Sequence, residues 1–170
     1  MDLFDAIARR RSIRSFKSTP VTRKDLDTIL ETINRAPSAG NLQAYEIYLV
    51  EDSQKRLALS RAAYDQEFLF QAPVVLVFCT NPARCKRYRD RGAALYTLQD
   101  ATIAVAYAQL AATALGLSTC WVGAFDEEKV SSALDLPKEL RPVAMLPIGE
   151  ADAVPGPFSR RGVQELVHQA

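Results

Sequence analysis

The sequence predicts one domain that mixes helices with four strands around a long apolar helix, and three observations carry that expectation. Val74-Val75-Leu76-Val77-Phe78-Cys79 is an unbroken apolar run after Pro73, the pattern of a strand covered on both faces. Residues 92–115 read as one long helix that is apolar on almost every side, and a helix of that kind is buried all round. In a domain of 170 residues something must cover it, and a second subunit is the natural cover. Helical and strand patterns also interleave along the chain, in the order helix, helix, strand, helix, strand, long helix, strand, helix, strand. Periodicity alone does not decide between parallel crossovers and a mixed sheet.

Each element has its own signal. Leu3, Phe4, Ile7 and Ala8 recur at helical spacing, so residues 2–10 form a short amphipathic helix. Thr22 caps a second helix that carries Leu26, Ile29, Leu30 and Ile33, and Pro37 stops it. Ser38-Ala39-Gly40-Asn41 is a turn-rich loop, and residues 45–50 are β-rich. Residues 53–63 look helical, 119–125 and 143–148 read as two more strands, and Asp126 caps a short helix between them. From Asp152 the chain is a tail marked by Pro and Gly, with a short helical pattern at Val163, Leu166 and Val167.

Composition narrows the chemistry. Twenty-one Lys+Arg against 20 Asp+Glu give a net charge of +1, which argues against a partner selected by bulk charge. One His and three Cys are too few for a typical zinc or iron–sulfur site, so no metal is expected. The single His also makes a Ser-His-Asp or Cys-His catalyst a poor fit. An odd number of cysteines without a CxxC pair suits reduced thiols. Met1-Asp2-Leu3-Phe4-Asp5 places acids where a secretion signal needs a basic region, so the expected location is the cytoplasm. The longest apolar run, Ala101 to Leu117, is too short and too Ala-rich for a membrane span.

The charge is unevenly placed. Arg9, Arg10, Arg11, Arg14, Lys17, Arg23 and Lys24 lie between Ala8 and Lys24 with no acid among them. A second cluster runs from Arg84 to Arg91, and Arg160-Arg161 forms a third. Guanidinium forks hold phosphate bidentately and a Ser hydroxyl adds a donor, so Arg10-Arg11-Ser12 is a candidate phosphate site beside the plainer reading of a solvated basic face. The seven glycines form neither GxGxxG nor GxxxxGK[ST], so a phosphate-bearing ligand would be held by side chains.

Taken in order, these segments resemble the nitroreductase family of FMN-dependent oxidoreductases. Arg10-Arg11-Ser12-Ile13-Arg14-Ser15-Phe16 is similar to the family's N-terminal box, and Ala36-Pro37-Ser38-Ala39-Gly40-Asn41-Leu42-Gln43 to its APSA-x-N-x-Q loop. Leu98-Gln99-Asp100-Ala101 resembles the start of its central helix. Gly116 to Phe125 and Leu146-Pro147-Ile148-Gly149-Glu150 resemble two of its strands, and the tail with Arg160-Arg161 its closing segment. One departure is that Ala44-Tyr45 stands where Pro-Trp is common.

The resemblance implies an α+β fold with a mixed central sheet flanked by helices, and an intimate homodimer with the long helix at its interface. It implies one FMN per subunit at that interface, with NADH or NADPH as cosubstrate. Arg10, Arg11 and Ser12 would follow the FMN phosphate and ribityl chain, with Arg160 and Arg161 approaching the phosphate from the tail. Arg14 would face the N1–C2 carbonyl edge of the flavin, where a cation favours the anionic reduced form. Pro37, Ser38, Ala39, Asn41 and Gln43 would reach the flavin of the partner subunit, and Trp121, Val122 and Gly123 would run beside N5. The implied activity is ping-pong hydride transfer from NAD(P)H to a small acceptor such as a nitroaromatic or quinone. Flavin N5 carries that chemistry, so no side chain is assigned a catalytic role. The rival expectations are an FMN-binding sensor or storage module without nicotinamide-driven turnover, and a basic domain that binds nucleic acid. The second lacks a recognisable reading module.

Overall fold

The computed structural model describes residues 1–156 and 158–169. Asp2 accepts a hydrogen bond from the Asp5 amide and starts helix α1 (Leu3–Arg9). Thr22 does the same for α2 (Arg23–Asn34) through the Asp25 amide, and Leu26, Ile29 and Ile33 form its buried stripe. Strand β1 (Tyr45–Val50) follows, then α3 (Ser53–Ala62), the short α4 (Phe68–Gln71) and strand β2 (Val74–Thr80). A tight helical stretch over Pro82–Tyr88, the single turn α5 (Arg89–Arg91) and a π-helical turn over Gly92–Tyr96 lead into α6 (Thr97–Ala114). Strand β3 (Ser118–Thr119), helix α7 (Glu127–Ala133) behind its Asp126 cap, and strand β4 (Arg141–Gly149) complete the core.

The sheet has the order β1-β2-β4-β3, and each neighbouring pair is antiparallel. The sheet is thus antiparallel where a mixed one was expected, and the parallel contact is an isolated bridge between Ser12 and Thr119, with the Ile13 amide donating to the Thr119 carbonyl at 2.9 Å. Every residue of β2 is buried, and its side chains alternate between two cores. Val75, Val77 and Cys79 join Met145 under α3, α4 and α7, while Val74, Leu76 and Phe78 join Leu146 and Ile148 under α2 and α6. The continuous apolar run therefore marks a strand with helices on both faces, as the sequence predicts.

Two elements differ from expectation. The strand expected over 119–125 is regular only at Ser118–Thr119, and Val122 returns to pair with Met145 through two backbone bonds of 2.9 Å. The long helix becomes regular α at Thr97, after the π turn. Within one chain its buried face is Asp100, Ala101, Ala104, Val105, Ala108 and Ala112, at helical spacing against the sheet and α2. Its outer side keeps Leu98 and Tyr107 more than a third exposed, because the chain's own layers reach just one side of it. Helix α1 packs on α6 yet leaves Leu3 and Phe4 largely in solvent. No helix among the described residues is long and apolar enough to cross a membrane.

Candidate functional site

The two ends of the chain are joined edge to edge. After β4 the tail runs back along residues 12–17: the Lys17 amide donates to the Glu150 carbonyl and the Asp152 amide to the Ser15 carbonyl, both at 3.0 Å. Ser15 Oγ adds a bond to Asp152 Oδ2 at 3.2 Å, and Phe16 bridges to Ala151. This pairing carries the tail arginines to the first basic cluster. Arg10 and Arg11, at the end of α1, and Arg160 line one cleft of about 270 Å3 with Phe158. The Arg11 and Arg160 guanidiniums both lie over the Phe158 ring, 5.4 and 4.7 Å from its centroid. Arg11 also donates to the Gly156 carbonyl at 3.4 Å. Among the described residues, no carboxylate lies within ion-pair distance of Arg10, Arg11, Arg14 or Arg160. Three convergent guanidiniums without a counter-ion form a donor set that suits a phosphate.

Arg161 does not join them. Its Nη2 donates to the Glu165 carbonyl at 2.7 Å and its Nε lies 3.9 Å from the Glu165 carboxylate, one turn away in the tail. Ser12 is half-buried at its bridge to Thr119, and Arg14 is exposed. Both stand close to Cys120. Burial pushes that thiol's pKa up, while the Arg14 and Arg10 charges and a hydrogen bond from Ser12 pull the other way. Trp121 is half-buried and Val122 is anchored to β4, which leaves Gly123 exposed at the same edge. A Cβ at Gly123 would meet only Trp121, at ordinary contact distance, so nothing inside the chain demands glycine there.

The loop at 37–43 lies elsewhere, on a separate open cleft of about 640 Å3 formed with the N-terminal part of α6 and lined by Pro37, Ser38, Ala39, Tyr96, Leu98 and Ile103 among others. Its backbone runs through left-handed conformations at Gly40, Asn41 and Gln43 (φ 58°, 56° and 42°). Gln43 ties it internally: its amide and its Nε2 each donate to Ser38 Oγ at 3.0 Å, and Nε2 also reaches Asn41 Oδ1 at 2.6 Å. None of the arginines of the first cleft lines the second.

Three residues hold this loop in a role that the sequence does not assign them. Asp100, 2% exposed, accepts from the Ala39 amide at 2.8 Å and from the Ala44 amide at 3.2 Å. Arg87 donates to the Gly40 carbonyl at 2.9 Å and Arg84 to the Leu42 carbonyl at 3.2 Å. The second basic cluster therefore braces a loop, at least through these two members. The available signal for Asp100 was a carboxylate at the head of a run with no other charge up to Gly116. Among the described residues no group of His, Cys, Asp or Glu is arranged to hold a metal.

Comparison with known proteins gives this geometry a lineage. The nitroreductase family profile matches residues 7–66 and 54–150. The chain is 32% identical over 162 residues to the FMN reductase [NAD(P)H] of Bacillus subtilis, an alignment covering 87% of this chain and 65% of that protein. The chain thus spans about two-thirds of that relative's length. A hypothetical oxidoreductase from Bacillus subtilis superposes with a TM-score of 0.91 at 31% identity, covering 99% of this chain and 74% of the other. The NADPH:FMN oxidoreductase of Vibrio harveyi complexed with NAD+ superposes at 0.89 with 28% identity, covering 98% and 76%. The α+β fold, the order of the motifs and the profile match agree, and the chain belongs to the nitroreductase family.

Proposed function

We propose that this protein is an FMN-dependent NAD(P)H oxidoreductase that passes hydride to a small acceptor such as a nitroaromatic or quinone by a ping-pong sequence. The observation that carries the reading is the cleft where Arg10 and Arg11 meet Arg160 with no carboxylate to neutralise them. Relatives named for FMN and NAD(P)H support it. FMN, when bound, supplies hydride transfer at its N5.

The protein's part is to bind, orient and screen. Arg10, Arg11 and Arg160 hold the phosphate, with Ser12 along the ribityl chain. Arg14, exposed at the same edge, supplies positive charge toward the flavin N1–C2 side. Trp121, Val122 and Gly123 form the strand edge beside N5, and Gly123 offers backbone with no side chain in the way. The loop of Pro37, Ser38, Ala39, Asn41 and Gln43 lines a different cleft from the arginines, which suits a homodimer in which it covers the cofactor held mainly by the other subunit. Arg161 pairs with Glu165 and does not line this cleft, so the phosphate is assigned to Arg10, Arg11 and Arg160.

The test is direct. Purified protein mixed with FMN should retain it through gel filtration and be yellow, and NADH or NADPH should bleach it without oxygen. Protein that cannot retain FMN refutes the reading. Retained FMN that neither nicotinamide bleaches would mark a binding module without turnover.

A further inference from the structure

The loop over residues 37–43 is expensive to hold in shape. Asn41 and Gln43 are left-handed without being glycine; Asn tolerates this, but at Gln43 it costs on the order of 1–2 kcal/mol. The loop's internal bonds tie Ser38, Asn41 and Gln43 to one another but not to the body of the protein. The attachment comes from Asp100. One carboxylate, buried at the start of the long helix, takes the Ala39 amide on one oxygen and the Ala44 amide on the other. These two donors bracket the left-handed stretch, so one rigid group touches both ends of the loop; at the far end it acts beside the Asn81 amide, which donates to the Ala44 carbonyl at 3.0 Å. The Ala44 bond is a feature of this chain's own sequence, because a proline at 44 would have no N–H to give. On the outer side, Arg87 and Arg84 hold the carbonyls of Gly40 and Leu42.

We propose that Asp100 is a positioning residue for the cofactor loop: it fixes the loop in its binding shape before FMN arrives, with Arg84 and Arg87 as an outer brace. This rests on the reading that the loop contacts FMN. The chemistry follows from hydrogen bonds to a buried carboxylate, which are stronger than neutral ones and leave a costly unpaired group when broken. Asparagine at 100 keeps one carbonyl oxygen but turns an NH2 toward the other amide, so one anchor becomes a donor–donor contact.

The experiment compares the full-length protein with Asp100→Asn and Arg87→Ala. Amide hydrogen exchange should quicken about tenfold at Ala39 and Ala44 in Asp100→Asn, with Val75 and Val77 of β2 unchanged. FMN should bind about tenfold more weakly to that variant, and its visible circular dichroism at saturation should fall, since that signal reports a fixed flavin environment. Arg87 is exposed, so its loss does not endanger folding, and Arg87→Ala should weaken FMN about threefold. Affinity within 1.5-fold of wild type in a folded Asp100→Asn overturns the inference. So does equal loss of protection in β2, which would make Asp100 a general support of the core. If Asp100→Asn does not fold, Arg87→Ala decides by the same 1.5-fold limit. Failure of the wild-type protein to bind FMN would instead defeat the functional reading, and the exchange data would still judge the anchor.

Discussion

At the scale of single residues, the sites that matter most are those where backbone and side chain leave no slack. Gly149 ends β4 at its pairing with Ser118. A Cβ there would lie 2.7 Å from Pro73 Cδ and 3.3 Å from Phe16 Cδ1. The proline ring cannot swing aside, so Gly149→Ala should cost about 1–3 kcal/mol, read by urea unfolding. A loss under about 0.5 kcal/mol would show that the Pro73 turn yields. Cys79 illustrates the opposite use of a tight site. Burial pushes its thiol up to about 12, with the nearby Glu46 charge adding to the effect, so it stays protonated at neutral pH as an inert part of the core.

At the scale of elements, α7 is tied to β4 by a two-pronged ion pair. Arg141 Nε and Nη2 each lie 2.8 Å from a Glu127 oxygen. The hydrogen bonds from Arg141 hold the Glu127 carboxyl below its ordinary pKa, and Arg141 is raised in return. A carboxylate whose pKa is depressed by folding contributes stability above its unfolded pKa and loses it as pH falls through the folded one. Both side chains are well over a third exposed, so solvent limits the pair to less than about 1 kcal/mol. Glu127→Gln should therefore be slightly less stable than wild type at pH 7, and the gap should shrink as pH falls below the ordinary carboxylate range. A gap that persists at pH 3 would assign the effect to packing.

At the scale of the whole molecule, the cleft proposed to take the FMN phosphate is lined from both ends of the chain, which pair edge to edge. Replacing Arg10 and Arg160 by Ala should weaken FMN retention about a hundredfold, measured by flavin fluorescence titration, as two charge-assisted contacts are lost. Arg89→Ala, on the exposed turn α5, should change it less than twofold. Equal retention in both would refute the placement of the phosphate. The second molecular feature is the apolar surface of α1 and α6, where Phe4 is 80% exposed and Tyr107 37%. In a homodimer this face is covered, so Tyr107→Glu should shift sedimentation toward the monomer and reduce FMN retention with it. A variant that sediments as wild type would move the interface elsewhere.

The elements with strong local signals were legible from residues alone. Thr22 and Asp126 cap their helices as expected by bonding to amides three positions on, and a cap is a contact between near neighbours; Asp2, expected inside the first helix, caps it in the same way. Strand β2 was legible because a run buried on both faces leaves no polar alternation. Arg10, Arg11 and Arg160 stand out in the sequence as charge clusters and as motif, and in the fold all three line one cleft. The short β3 was not: Val122 finds its partner in Met145, 23 positions away, and no local pattern announces where regular pairing stops. Nor was the task of Arg84 and Arg87, whose partners are carbonyls more than 40 positions earlier in the chain. Asp100 holds amides 61 and 56 positions away. Local pattern and motif were enough for the order of the principal helices and strands, two of the helix caps and the family, since those depend on neighbours, whereas α4 and the helical stretch over 82–91 carried no such signal. Which arginines share a cleft, which hold loop carbonyls and which carboxylate takes the loop amides depended on the fold, because such partners are chosen by distance in space.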